Sequence, residues 1–317
     1  MDTDSNINPF KTKYVSSFGL AAGVKNPPKV MNKNGAIYEF NFNNEIGDTV
    51  YVRITEIVQF FQSNILYKFK NPIILVSGDM DTTVPDDVMA IYTYLDHPKL
   101  LKWYAQNYSG NYSHPKLNHL PIGLDYHTLH FASKDVLHDW GTPNTPILQE
   151  KELETLRNSF KNIKECNSGL AVTNFHHSTF GYPIRRQQYR EPVLNALKGK
   201  KCIIWLPKQQ RLQFWKNCNT GAFVVCPFGN GLDTHRTWEV LILGRIPIVP
   251  KSGLNKVFEG LPIVEVEDNE WKDIDEKWLK SKYENIINNW DTYDFNRLTL
   301  DYWLNMVNVV PHILSSS

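Results

Sequence analysis

The stretch 221-GAFVVCPFGNGLDTHRTWEVLILGRIPIVP-250 decides the fold. It opens on an apolar run, AFVVC, that reads as a strand and stops at Pro227. Two glycines and a cluster of polar residues follow. Asp233 and Thr234 are then good helix N-caps, and Trp238, Leu241 and Ile242 make one apolar helical face. A second apolar strand, RIPIVP, closes the stretch. Strand, glycine loop, helix and strand in that order are the repeating unit of a parallel sheet with helical crossovers.

Working outward, the pattern continues on both sides. GLAVTNF (169–175) and KCIIWL (201–206) read as strands, YPIRRQQYREPVLNALKG (182–199) and KQQRLQFWKN (208–217) as helices, and LPIVEV (261–266) as a further strand. The first half carries a second such unit. TVYVRI (49–54), PIILVS (72–77), LLKWYAQN (100–107) and KLNHLPIGLD (116–125) are strand-like. One helix is expected at 55–69 and another at 85–95. A charged amphipathic helix at 148–165 connects the halves, and the tail from 277 is helical and rich in Trp and Tyr. The expectation is an α/β protein of two Rossmann-like, doubly wound domains facing a cleft. Residues 1–165 form the first, rejoined by a C-terminal helix at about 292–317 that packs across both, and 166–291 the second.

Composition bounds the function. The chain has 317 residues, 42% of them hydrophobic, with 34 Lys and Arg against 33 Asp and Glu. That balance gives no bulk attraction to nucleic acid or acidic membrane. No run approaches the roughly 20 apolar residues of a membrane span, and MDTDSNINPFKTKY (1–14) lacks the apolar core of a secretory signal. A soluble cytoplasmic protein is expected, with its four cysteines reduced and the sequons at Asn107 and Asn111 unused.

In open α/β folds, ligands sit outside the carboxyl ends of the strands, so the post-strand loops are the candidate site. Gly229, Asn230, Gly231 and Asp233 precede a helix whose free N–H groups and dipole favour a phosphate. Arg236 sits in the first turn, where the dipole disfavours a cation unless an anion is near. Glu239 shares its face and suits two sugar hydroxyls; a surface Arg236–Glu239 pair is the alternative. Arg185 and Arg190, near a second helix start, strengthen the case for a diphosphate. In the first half, Asp79 and Asp81 follow a strand and suit a general base, or simply a turn and a cap. Asp125 and His127 follow another strand and suit contact with an acceptor. No cysteine and histidine spacing suggests a metal site, and no P-loop, GxSxG elbow or early GxGxxG occurs.

On these residues the chain resembles the exostosin-like glycosyltransferases. The resemblance rests chiefly on VVCPFGNGLDTHRTWEVLILGRIPIV (224–249) and extends to HPKLNHLPIGLD (114–125) and VSGDMDTTVP (76–85). One step further, it is similar to xylosyltransferases of the large-DNA-virus, chlorovirus type. The resemblance implies a GT-B fold and a UDP-sugar as co-substrate, with xylose favoured. It also implies inversion at the sugar carbon without an essential metal or other cofactor, and a glycan or glycoprotein acceptor. Arg236 and the 229–233 loop would hold the diphosphate, Glu239 the ribose, and Asp79 or Asp81 would be the base. Animal members commonly carry an N-terminal membrane helix, for which this sequence offers no candidate. Two other readings stay open: a non-catalytic nucleotide- or carbohydrate-binding protein, and a metal-dependent phosphoester hydrolase using Asp79 and Asp81.

Overall fold

The computed structural model describes residues 8–32, 34–88, 92–133, 138, 140–175 and 184–309, with side chains from 188 onward in the last span. After a short antiparallel hairpin, β1 (Val30–Asn32) and β2 (Gly35–Ile37), the strands fall into two parallel sheets. The first is ordered β3 (Thr49–Arg53), β4 (Ile73–Gly78), β5 (Leu100–Gln106), β6 (Leu117–Leu120). The second contains β7 (Ala171–Thr173), β8 (Ile203–Trp205), β9 (Phe223–Val225), β10 (Ile246–Pro250) and β11 (Val264–Val266), ordered β11-β10-β9-β7-β8. All pairings within both sheets are parallel. The strand order of the second sheet reverses between β7 and β9, which creates a crevice at that point.

Both sheets are covered on both faces, which is why their strands read as near-continuous apolar runs. In the first sheet, Val50, Val52, Ile73, Leu75 and Trp103 face one core with Phe60 and Phe61 of the helix Ile57–Gln62. Tyr51, Ile74, Val76 and Tyr104 face another core, which also takes in Trp238, Val240 and Leu241 from the second unit. That shared core is completed by the tail. Trp303 of the helix Leu300–Val307 lies edge-on to Trp238, 6.5 Å between ring centroids. The tail packs against both halves, but the helix expected at about 292–317 runs only Leu300–Val307 among the described residues, and 310–317 lie outside them. Each large apolar side chain buried this way contributes about 1.5–3 kcal/mol.

Several elements differ from expectation. The helix expected at 55–69 is broken into Ile57–Gln62 and Ile65–Lys68 by Asn64, which adopts left-handed backbone at φ 58°, a conformation Asn tolerates better than most residues. At 85–95 only Tyr92–Leu95 is helical among the described residues, and 89–91 lie outside them. The connecting helix runs Pro146–Ser159, capped by Thr145. All four cysteines are free, and three are buried. Asn107, the first sequon asparagine, is fully buried.

Candidate active site

Where the carboxyl ends of the two sheets face each other lies a cavity of about 460 Å³. Its second-unit wall is the post-β9 loop, the helix His235–Ile242 and Asn174 directly after β7, together with Arg190 and the segment from Lys208 to Phe214. The first unit supplies Asp81, Ile122, Asp125 and Thr128.

The glycine loop is closed by the Gly229 N–H donating to the Gly231 carbonyl at 3.0 Å. A methyl group on Gly229 would meet nothing closer than 3.5 Å, with an Arg190 nitrogen at 3.7 Å. On Gly231 it would lie 2.9 Å from both ends of the Asn107 amide. The missing side chain at 231 thus admits the first unit, whereas 229 faces the cation. Arg190 is fixed to the loop by its Nε donating to the Phe228 carbonyl at 2.7 Å. Arg185 belongs to the helix Ile184–Leu197, but its side chain lies outside the described residues.

Asp233, expected at the diphosphate, is a joint between the units. Its backbone N–H donates to Asn107 Oδ1 at 2.8 Å. Its carboxylate accepts from the Ile122 N–H at 2.8 Å and the Trp238 indole at 3.0 Å. It lines the cavity, yet both oxygens are engaged. Burial pushes its carboxyl up to about 6, and those donors hold it from going higher.

Arg236 is the second residue of its helix, where the dipole opposes it, as the sequence indicates. Its guanidinium lies 4.4 Å from the Phe214 ring centroid and, among the described residues, makes no hydrogen bond or ion pair. It is a cation held in place by stacking, with its donors unspent at the cavity wall. Glu239 is 2% exposed, so the surface-pair alternative fails. Its Oε1 is buried and makes no well-formed hydrogen bond among the described residues, the Trp215 indole being the donor that reaches the carboxylate. Burial raises its carboxyl above the ordinary range, opposed by Arg211, the Trp215 indole and Arg236. A buried carboxylate short of donors beside a cavity is costly unless something further donates to it. Asn174 and Asn230 likewise present Oδ1 atoms without partners on the same wall.

Arg211 is a site residue that the sequence reading passed over. It opens the helix Arg211–Asn217 and is 5% exposed. It donates to the Asp125 carbonyl and to Gln149 Oε1, and its guanidinium lies 4.7 Å from the Trp215 ring centroid. A cation in a helix first turn was the signal that singled out Arg236, and it applies equally here. The partners differ, because the dipole misfit of Arg211 is answered by a carbonyl of the first unit.

On the first-unit side, Asp125 and His127 come together. Asp125 Oδ1 lies 3.2 Å from His127 Nδ1 and accepts the Thr128 N–H at 2.9 Å. Burial works against the carboxylate, but His127, His235 and Arg211 outweigh it and hold Asp125 well below the usual range. The His127 ring stacks on Phe18, 4.8 Å between centroids. His235 faces it at 6.1 Å, with Nδ1 bonded to the Gly123 carbonyl at 2.7 Å. A carboxylate at Nδ1 orients the imidazole and leaves Nε2 as the basic nitrogen.

The two expected bases part company. Asp79 is buried in left-handed backbone, φ 68°, and paired with Arg53 Nε at 2.8 Å. Burial raises its carboxyl, with His127 and Arg53 pulling the other way. It is not among the residues lining the cavity; Asp81, exposed, is. Among the described residues no group of three His, Cys, Asp or Glu side chains is placed to hold a metal, and no helix is long and apolar enough to cross a membrane.

Fold and site together define an α/β protein of two Rossmann-like units, with cations and buried acceptors on one wall of its cleft and Asp125, the partner of His127, on the other. No family model matches the chain, and no curated protein matches it. Among solved structures it is similar to Anabaena Alr3699/HepE in complex with UDP-glucose, with 10% identity over 83% of this chain and 75% of that one and a TM-score of 0.36. It is also similar to WaaG, a glycosyltransferase involved in lipopolysaccharide biosynthesis, with 10% identity over 80% of this chain and 82% of that one and a TM-score of 0.38. At that distance, what the cleft does is decided by its own residues.

Proposed function

We propose that the chain is a glycosyltransferase that moves a sugar from a UDP-sugar, xylose being the sugar its sequence resemblance favours, to a hydroxyl of a glycan or glycoprotein. The observation that carries this reading is Glu239. A buried carboxylate that only the Trp215 indole reaches calls for further donors, and it stands three residues from an arginine at a helix start that makes no hydrogen bond or ion pair among the described residues. A ribose diphosphate satisfies both: hydroxyls to Glu239, phosphates to Arg236, Arg190 and the helix N–H groups.

In the proposed reaction, His127 Nε2 removes the acceptor proton and Asp125 stabilises the imidazolium. The acceptor oxygen attacks the anomeric carbon from the first-unit side as the bond to the diphosphate breaks, giving inversion. Charge developing on the diphosphate falls on Arg236 and Arg190, which take the place a divalent ion would otherwise fill. His127 replaces Asp79 as base because Asp79 is tied to Arg53. The same ion pair weakens the hydrolase reading, which needs Asp79 and Asp81 acting together.

Calorimetric titration with nucleoside diphosphates, followed by a panel of nucleotide sugars assayed for transfer and slow hydrolysis with chelator present, tests the proposal. Micromolar UDP binding with chelator-resistant turnover is expected. A protein that binds no nucleoside diphosphate overturns it, and one that binds UDP but turns over no sugar is the non-catalytic binder.

A further inference from the structure

The two units meet through a closed ring of hydrogen bonds that turns on adjacent residues at the carboxyl end of β5. Gln106 and Asn107 are both buried. Gln106 Oε1 accepts the Asp79 N–H at 2.8 Å, and its Nε2 donates to the Pro121 carbonyl at 2.7 Å. Asn107 Nδ2 donates to the Met80 carbonyl at 3.0 Å, and its Oδ1 accepts the Asp233 N–H at 2.8 Å. The Ile122 N–H, next along the chain from Pro121, donates to Asp233 Oδ2 at 2.8 Å and closes the circuit.

The local chain is shaped for this ring. Each amide gives its nitrogen to a carbonyl and takes an N–H on its oxygen, so a flip would lose both bonds. Asn107 adopts left-handed backbone at φ 53°, a conformation that asparagine tolerates. Glycines make the room. A methyl on Gly78 would lie 2.0 Å from Gln106 Oε1, and one on Gly231 would lie 2.9 Å from the Asn107 amide. Asp233 is the ring's member from the second unit, at the end of the glycine loop. Asp79 and Met80 lead into Asp81, and Ile122 leads into Asp125. The ring therefore joins three segments of the cavity wall, one from the second unit and two from the first. A buried circuit of this kind is cooperative, so loosening one member loosens the others.

We infer that Asn107 is a positioning residue of the cleft, through which the glycine loop sets the Asp81 and Asp125 segments, so that a nucleotide held by the loop also fixes the opposite wall. This rests on the nucleotide reading of the cavity. Asn107 is not among the residues lining the cavity, and it acts through Met80 and Asp233. The amides of the ring report its state directly, because a hydrogen-bonded amide exchanges with solvent only when its bond opens. A ring that opens as one body, with UDP bound to its closed form, has one common response. UDP slows Asp79, Ile122 and Asp233 by the same factor, about a hundredfold at one hundred times its Kd.

Residue-resolved hydrogen exchange on the full chain, with and without UDP, tests this. Wild type is expected to show the common factor. Asn107→Gly keeps the left-handed backbone and removes the amide, which turns the ring into an open chain. Ile122, bonded directly to Asp233, should keep most of its response to UDP. Asp79, then reached only through Pro121 and Gln106, should respond at least about fivefold less than Ile122. Gly231→Ala, whose methyl crowds the same amide from the loop side, should split the factors in the same way. A single cooperative thermal transition shows that either variant is folded. A merely structural Asn107 would instead leave the variants exchanging faster at every ring amide, with the factors still equal. If UDP binds wild type but leaves Asp79 or Asp233 unslowed, or if the common factor survives in both variants, the inference fails and the nucleotide site stands. Absence of UDP binding by wild type overturns both.

Discussion

Replacing Glu239 by Gln should make the protein more stable and a poorer binder at once. The carboxylate is buried, and the Trp215 indole is the donor that reaches it. Its raised pKa means that the folded chain holds this proton better than the unfolded chain does. At pH 7 the ionised group therefore costs stability, and the cost diminishes as pH falls towards the unfolded value near 4.3. An amide removes the charge and keeps the shape. With Arg211 and Arg236 recovering part of the burial cost, the gain is on the order of 1 kcal/mol, or roughly 2 °C in thermal midpoint for a chain of this size. Nucleotide binding goes the other way. Hydroxyls donating to a carboxylate gain about 1.5–3 kcal/mol, against about 0.5–1.5 for a neutral acceptor. The variant should lose about 1.4 kcal/mol, a tenfold weaker Kd for UDP. Thermal denaturation at pH 7.5 with and without saturating UDP reads both effects. The Glu239→Gln variant should melt above wild type when alone and gain less from UDP, because ligand stabilisation follows the logarithm of ligand concentration over Kd. A variant that melts lower and binds UDP as wild type does would refute the reasoning, since Glu239 would then be an ordinary structural carboxylate.

Three further outcomes are expected. Arg236→Ala should weaken UDP by on the order of 2–5 kcal/mol in titration while barely altering the melting temperature, because its guanidinium makes no hydrogen bond or ion pair among the described residues. His127→Ala should lower turnover by about 10²–10⁴ with UDP affinity unchanged; intact turnover would remove it from the reaction. Asp233 titrates near 6 when folded and near 3.9 unfolded, so its ionised form costs stability above about pH 6. The melting difference between Asp233→Asn and wild type should therefore be most favourable to the variant at pH 7.5 and shift towards wild type by pH 5.

The second unit was largely legible because its information is local. Caps, a glycine turn and helical spacing lie within 221–250, and the two residues most telling in sequence, Arg236 and Glu239, line the cavity. Residues whose surroundings depend on distant chain were read less well. Asp233 looks like a helix cap, but Asn107 and Ile122 of the first unit claim it. Asp79 looks free until Arg53 is placed beside it by β3 and β4 pairing in register, Arg53 against Gly78. Asp125 and His127 are two residues apart, and their pairing needs the short turn His127–His130 that follows.

The tail has a consequence for synthesis. Leu300 donates its N–H to the Lys13 carbonyl, Val15 donates to the Leu298 carbonyl, and Asn308 accepts from the Thr49 hydroxyl. At Gly23 an added methyl would lie 2.3 Å from Leu304. The earlier of the two units to leave the ribosome is thus finished by residues made only after the second unit. Domains usually fold in the order of their synthesis. Here the N-terminal unit must wait, with the apolar bed of the Leu300–Val307 helix uncovered, while the second unit is translated. Nascent chains stalled before residue 298 should bind holdase chaperones and be cut readily by protease within 10–24, and chains released beyond 308 should resist both.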